Sequence, residues 1–234
     1  MTTQTRNKRR GPREMAMARE APSREALTQA RVMAGALKLI DGEGLDALSM
    51  RRLGAELGVE AMSLYRHVDG KEALLDGLSA QLWSEVRLPD ERASEWKVAV
   101  GETARSLREL ARGHPNSFSL LLGRPTLSEP ALRVFDAMLR TFRDAKFSKT
   151  LASQALGTLV AYAVGYAMVE ITCGLGQPEL AARRCITPDA AGRFSGVSEA
   201  LAECDPDALF DFGLEALLRG LDAKRRSRSG RRRG

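Results

Sequence analysis

Residues 48–78 read LSMRRLGAELGVEAMSLYRHVDGKEALLDGL, and this stretch decides the fold. Ser49 is placed to cap a helix over MRRLGAEL, which stops at Gly58. The spacing then predicts a short helix from Glu60 to Val68 and a longer one from Lys71 to about Val86. Leu53, Leu57, Val59 and Leu64 fall where they can pack inside an angular two-helix unit, a helix-turn-helix. Ala61, Met62, Ser63, Arg66 and His67 then lie largely outside that core, with Tyr65 partly exposed. Small residues at the start of the second helix let its backbone approach base edges in a major groove. Ser49, Arg51, Tyr65, His67 and Lys71 can donate to phosphates, and helix N-termini add backbone donors. The same hairpin also occurs in proteins that bind no DNA, where such a cluster is only a polar surface, so spacing alone leaves both readings open.

Working outward, Ser23 is placed to cap a helix over REALTQARVMAGALKLIDGEG. Leu27, Ala30, Val32, Ala34, Leu37 and Ile40 supply its apolar stripe, and Gly42 and Gly44 end it. Downstream, Leu88-Pro89-Asp90 breaks the helical pattern and marks a boundary. Helices are expected near 94–112, 128–145, 149–174 and 206–222. HPNSFSLLLGRPT and GQPELAARRCITPDAAG read as loops or short turns. No run alternates as a strand would. The expectation is an all-α protein. A helix-turn-helix domain spans 23–88 and a helical bundle 89–223, flanked by basic disordered tails at 1–22 and 224–234.

Charge supports that division. The formal net charge is +6, yet residues 1–13 carry +5 and residues 224–234 carry +7, which leaves −6 for the body. Basic ends suit a polyanion such as nucleic acid, and are equally common as solvated ends. The first residues hold no apolar segment of a secretory signal. Cys173, Cys185 and Cys204 match neither a zinc pattern nor a disulfide framework and read as reduced thiols of a cytoplasmic protein.

Residues 155–175, ALGTLVAYAVGYAMVEITCGL, hold one charge, Glu170. A membrane span is one reading. The Gly, Ala, Thr and Tyr content and the missing basic flanks favour a helix buried in a bundle, with no membrane partner. Gly157, Ala161 and Gly165 share one face, suited to close approach of a second helix; Tyr162, Tyr166 and Glu170 share another, suited to lining a cavity. No glycine-rich phosphate loop, nucleophile motif or metal-ligand cluster is present. The chain therefore does not read as an enzyme, and no cofactor is expected.

The 48–78 stretch resembles the DNA-binding domain of the TetR family of bacterial repressors. Leu48-Ser49, a helix ending in Leu57-Gly58-Val59, Leu64-Tyr65-x-His67-Val68 and Lys71-x-x-Leu74-Leu75 carry the likeness. A weaker similarity to the tetracycline-repressor branch runs through Trp96, HPNSFSLLLGRP and FDFGLEALLRGLDA. The resemblance implies a homodimer that reads a palindromic double-stranded operator and responds to a small effector, with repression the family default. Constitutive DNA binding without an effector is the alternative, and a small-molecule enzyme a more distant one.

By position, phosphate contacts would fall on Ser49, Arg51, Tyr65, His67 and Lys71, and base contacts on Arg51, Ala61, Met62, Ser63 and Arg66; Arg52 joins the DNA-facing set. Ala61 and Met62 stand where the tetracycline repressor has glutamine and proline, so the operator should differ. That repressor also needs histidines to hold drug and magnesium. Only His67 and His114 occur here, so no metal is expected. The expected effector is largely apolar. Its walls would be Phe118, Leu121, Phe135, Met138, Tyr162 and Tyr166, with Glu170 or His114 as polar contact. Phe210, Leu214, Leu217, Leu218 and Leu221 are the expected dimer stripe of the last helix, and Arg6 to Arg13 a candidate minor-groove arm.

Overall fold

The computed structural model describes residues 26–90, 95–124, 127–175 and 205–230, with scattered positions between 190 and 199. Its main elements are all helices: α1 Gln29–Glu43, α2 Met50–Leu57, α3 Ala61–Leu64, α4 Lys71–Glu85, α5 Trp96–Gly113, α6 Glu129–Asp144, α7 Lys149–Cys173 and α8 Pro206–Gly230. Single 3-10 turns cover Leu45–Ala47 and Phe118–Leu121.

The ends of the first helices follow from capping chemistry. Thr28, not Ser23, caps α1: its Oγ1 accepts the Arg31 N–H at 3.2 Å. Ser23 and the Arg6–Arg13 arm lie outside the described residues. Gly44, at φ 90°, terminates α1 and donates its N–H to the Ile40 carbonyl at 2.7 Å, while Gly42 stays inside the helix. Ser49 caps α2 by accepting the Arg52 N–H at 3.1 Å, and Gly58 ends it at φ 69° in the left-handed region. α3 is shorter than expected, stopping at Leu64. The Leu64 carbonyl accepts from both His67 and Val68, so Tyr65–Val68 tightens into turns that aim the chain at Gly70 and α4.

α1, α2 and α3 enclose a small core of Val32, Leu39, Ile40, Leu48, Leu53 and Leu64, closed by Leu74 and Leu78 of α4. Leu57 and Val59 are half-buried at its edge. α4 also packs on α6 and the 118–121 turn, so it belongs to both domains.

α7 is long and apolar enough to cross a membrane by length and composition. It packs instead against α5, α6 and α8, burying Leu151, Ala155, Leu159, Ala163 and Ala167. α8 continues to Gly230, where a tail was expected from 224. Asp222 explains part of this extension: it accepts from Arg225 at 2.8 Å and pairs with Arg226 at 2.9 Å, one turn on. Cys173 is half-buried at the end of α7, and Cys185 and Cys204 lie outside the described residues.

Candidate nucleic-acid interface and its coupling to the C-terminal domain

The helix-turn-helix is set by one close approach. A Cβ on Gly54 would lie 2.9 Å from the Val59 carbonyl oxygen and 3.2 Å from the Ala61 nitrogen. Only glycine lets the α2 backbone touch the start of α3, and the Val59 N–H donates to the Gly54 carbonyl at 2.9 Å across that contact. Leu53 and Leu64 are fully buried behind it.

The outward face carries most of the residues expected from sequence. Met62 is 72% exposed and Tyr65 47%, an uncommon display of large apolar surface on so small a unit. Arg51, Arg66 and Lys71 are exposed, and Ala61, Ser63 and His67 half-buried on the same segment. Exposed Ser49 uses an oxygen lone pair for the cap, which leaves its hydroxyl hydrogen for a phosphate. Arg52 differs from expectation. Its guanidinium is held by Glu43 through Nη2 and, at 3.4 Å, through Nε, with Glu56 at 3.6 Å. It fastens α2 to the end of α1 rather than presenting a free cation.

The segment following α5 grips this domain at two points. His114 Nδ1 lies 2.7 Å from Asp41 of α1 and its Nε2 lies 3.4 Å from Glu85 of α4. Ser117 donates to the other Asp41 oxygen at 2.6 Å, and Asn116 to the Asp41 carbonyl at 2.8 Å. Arg124 then donates to Asp76 at 2.5 Å and Glu72 at 3.0 Å, both on the outer side of α4. His114, expected as a ligand contact, is thus a contact between domains. Asp41 and Arg124 were missed, because neither pairing is visible without the fold.

Of the expected effector residues, Phe118, Leu121 and Met138 are buried in the core, and half-buried Phe135 stands edge-on to Trp83 of α4 with ring centroids 5.4 Å apart. The Tyr162, Tyr166 and Glu170 face is spent on the protein itself. The Tyr162 hydroxyl donates to the Phe210 carbonyl and that of Tyr166 to the Pro206 carbonyl, each at 2.7 Å. Arg108 Nε and Nη2 reach the two Glu170 oxygens at 2.7 and 2.9 Å, and Arg112 adds contacts of 2.9 and 2.6 Å. Asp207 pairs with both arginines at 2.9 and 2.7 Å. This cluster joins α5, α7 and α8 and leaves Glu170 no free oxygen for a ligand. The guanidinium of Arg108 lies over the Tyr166 and Phe210 rings at 5.2 and 4.8 Å. The signal in the sequence was Glu170 itself: a lone carboxylate in an apolar run demands a buried cation. Among the described residues, no group of three or more His, Cys, Asp or Glu side chains is placed to hold a metal ion.

The expected dimer stripe on α8 also needs correction. Phe210, Leu214, Leu218 and Leu221 are buried within their own chain, with Leu217 half-buried. The outward face carries Leu209 and Phe212, 44% and 73% exposed, with exposed Ala216, Gly220 and Ala223. On α7, Gly157, Ala161 and Gly165 are exposed, and among the described residues nothing lies within 4 Å of a Cβ at either glycine.

Two family descriptions match the chain: bacterial regulatory proteins of the tetR family over residues 32–78, and the tetracyclin repressor-like C-terminal domain over 88–225. The HTH-type transcriptional repressor DrrR1 of Streptomyces coeruleorubidus is 33% identical, covering 87% of this chain and 81% of its own. The class A tetracycline repressor protein from transposon 1721 of Escherichia coli is 31% identical over 83% of this chain and 90% of its own. The crystal structure of the Streptomyces coelicolor TetR family protein ActR in complex with actinorhodin superposes with a TM-score of 0.70 at 28% identity, covering 86% of this chain and 97% of that one. The exposed reading head, the helical C-terminal domain and the two matches spanning both lead to one conclusion: the chain belongs to the TetR family of DNA-binding transcriptional regulators.

Proposed function

We propose that this regulator is a cytoplasmic repressor that binds a palindromic operator as a homodimer and is released by a small, largely apolar effector. The observation that carries the reading is the double grip of residues 114–124 on α1 and α4. A ligand shifts a regulator only by binding its two conformations unequally. Phe118, Leu121 and Met138 belong to the same apolar core as Trp83 of α4, and Phe135 packs against it edge-on to Trp83. A molecule entering there has to part the 118–121 turn and α6 from α4. Lys71, the first residue of α4, lies on the DNA-facing surface, so that displacement acts directly on the reading head. The ActR complex with actinorhodin, a relative holding a small molecule, supports a ligand-responsive reading.

The dimer reading rests on faces of α7 and α8 that no described residue covers. Glycine and alanine on α7 permit close helix approach, and Leu209 and Phe212 on α8 offer apolar surface for a second copy to cover. Two reading heads related by a two-fold axis call for a palindromic site.

The test is an operator selected from a random-sequence duplex library, titrated with apolar aromatic compounds while tryptophan emission and DNA release are followed. Both signals are expected to change over one concentration range, because Trp83 sits against the site. Phe135→Leu should shift both responses together and leave ligand-free DNA affinity nearly unchanged. Loss of DNA binding by Phe135→Leu without ligand would make Phe135 a packing residue only and end the assignment.

A further inference from the structure

Among the described residues the two most exposed large apolar side chains are Phe212 and Met62, at 73% and 72%. Phe212 lies on the face of α8 assigned above to a second copy. Met62 belongs to the other domain, at the second position of α3, and that interface does not account for it. Its backbone is held on both sides. The Ala61 nitrogen and Cα lie 3.2 and 3.3 Å from where a Cβ on Gly54 would stand, so the first residue of α3 is seated on the α2 backbone. After Met62, the Ser63 N–H donates to the Glu60 carbonyl at 2.9 Å, and Leu64 is fully buried. Met62 therefore projects into solvent from a fixed base.

The chemistry of the side chain and of its neighbours narrows what it can meet. A thioether has no donor and is only a weak acceptor, so Met62 holds neither a phosphate nor a hydrogen-bonding base edge. Glu60, the residue before α3, is exposed and makes no capping bond with its side chain. A carboxylate repels phosphate, so this end of α3 suits the base edges, while the exposed phosphate donors Tyr65 and Lys71 follow its other end. Half-buried Ala61 adds no polar group, which leaves Ser63 as the one hydrogen-bonding side chain of the first three residues of α3. The apolar group that DNA presents in its major groove is the C5-methyl of thymine.

We propose that Met62 is a specificity-determining residue that packs on the C5-methyl of a thymine in the major groove, so that each half-site of the operator carries a thymine at that position. The proposal rests on α3 being the reading helix and on the palindromic operator proposed above. A flexible, polarizable thioether suits contact with a single methyl at the edge of a base pair, because it follows an irregular apolar surface.

The experiment uses the full chain. An operator is selected from a random-sequence duplex library, and each of its thymines is replaced in turn by deoxyuridine, which keeps the pairing and removes only the methyl. Anisotropy titrations give the affinity ratio of thymine to deoxyuridine duplex for wild type, Met62→Ala and Met62→Leu. The ratio is internal to each protein, so a general loss of affinity cancels. At one thymine of the half-site, wild type is expected to lose about fourfold on deoxyuridine, the worth of one buried methyl-sized group at about 0.8 kcal/mol. Replacing both symmetry-related thymines should multiply this to about fifteenfold. Met62→Ala should bind the two duplexes equally, and Met62→Leu should keep most of the discrimination. The same ratio in wild type and Met62→Ala at every position overturns the proposal, as does a selected half-site with no deoxyuridine-sensitive thymine. Either result leaves DNA binding itself standing. Failure of the selection to enrich any duplex would instead remove the reading head on which the proposal rests, and the proposal with it.

Discussion

Lys71 and Arg66 are two exposed cations a few residues apart whose settings predict different contributions to DNA binding. Lys71 opens α4, where the first backbone N–H groups are unpaired and the helix dipole favours an anion. Its ammonium is a point charge that reads no sequence. Arg66 sits in the turn just beyond α3 with its side chain exposed beside Met62 and Tyr65. Lys71→Ala is expected to weaken binding to operator and random DNA alike, with the slope of affinity against salt falling by about one unit. Arg66→Ala should instead change the preferred base pair at one position, by about 1–3 kcal/mol of discrimination. Fluorescence anisotropy across single-base operator variants separates the two. Retention of the wild-type preference at every position by Arg66→Ala would remove Arg66 from base reading. Arg52 shows why charge alone is a poor guide: next to Arg51 in sequence, it is committed to Glu43.

At the scale of elements, the contacts that set the angles are few and sharply defined. Gly54→Ala tests the turn between α2 and α3. In an exposed helix the change would add about 1 kcal/mol of stability. Here the new methyl meets the backbone of Val59 and Ala61, which cannot rotate away. A net loss of about 1–3 kcal/mol is expected in chemical denaturation, together with weaker binding to every duplex. A stabilised Gly54→Ala protein would show that α3 can move outward freely. Glu170 plays the corresponding part among α5, α7 and α8. Glu170→Gln leaves the buried Arg108 with only the exposed Asp207 as a carboxylate partner, and a loss of about 3 kcal/mol is expected. Were Glu170 a ligand contact alone, the same change would leave stability untouched and alter only effector response.

For the whole molecule, the question is which surfaces remain after each chain has built its own core. The α7–α8 pair leaves a strip of small residues beside Phe212 and Leu209. Gly165→Leu is expected to convert the proposed dimer to monomer in sedimentation velocity, because a branched side chain would stand where the second helix is proposed to approach. Among the described residues nothing lies within 4 Å of a Cβ at that position, so the folded monomer should keep its helical circular dichroism. An intact dimer in this variant would move the interface off α7. The 114–124 segment belongs to the same scale, since its contacts with Asp41, Glu72 and Asp76 tie it to both α1 and α4, the route by which the proposed effector would act on the DNA-binding domain.

Read by itself, the sequence determined the all-helical class, the helix-turn-helix and its outward residues. Caps, glycine stops and 3.6-residue periodicity are local, and the Leu53, Gly58 and Leu64 spacing is short enough for one motif to specify its own shape. Tertiary structure alone decided which polar groups were spent. Glu170 meets Arg108 across 62 positions, His114 meets Asp41 across 73, and Tyr162 meets Phe210 across 48. A helical face states only that residues share a side, not which neighbour that side will meet. For the same reason the apolar stripe of α8 pointed inward rather than to a partner. Two apolar faces compete to be buried within the chain, and packing of α8 against α7 awards that place to Phe210 and Leu214, leaving Phe212 outside.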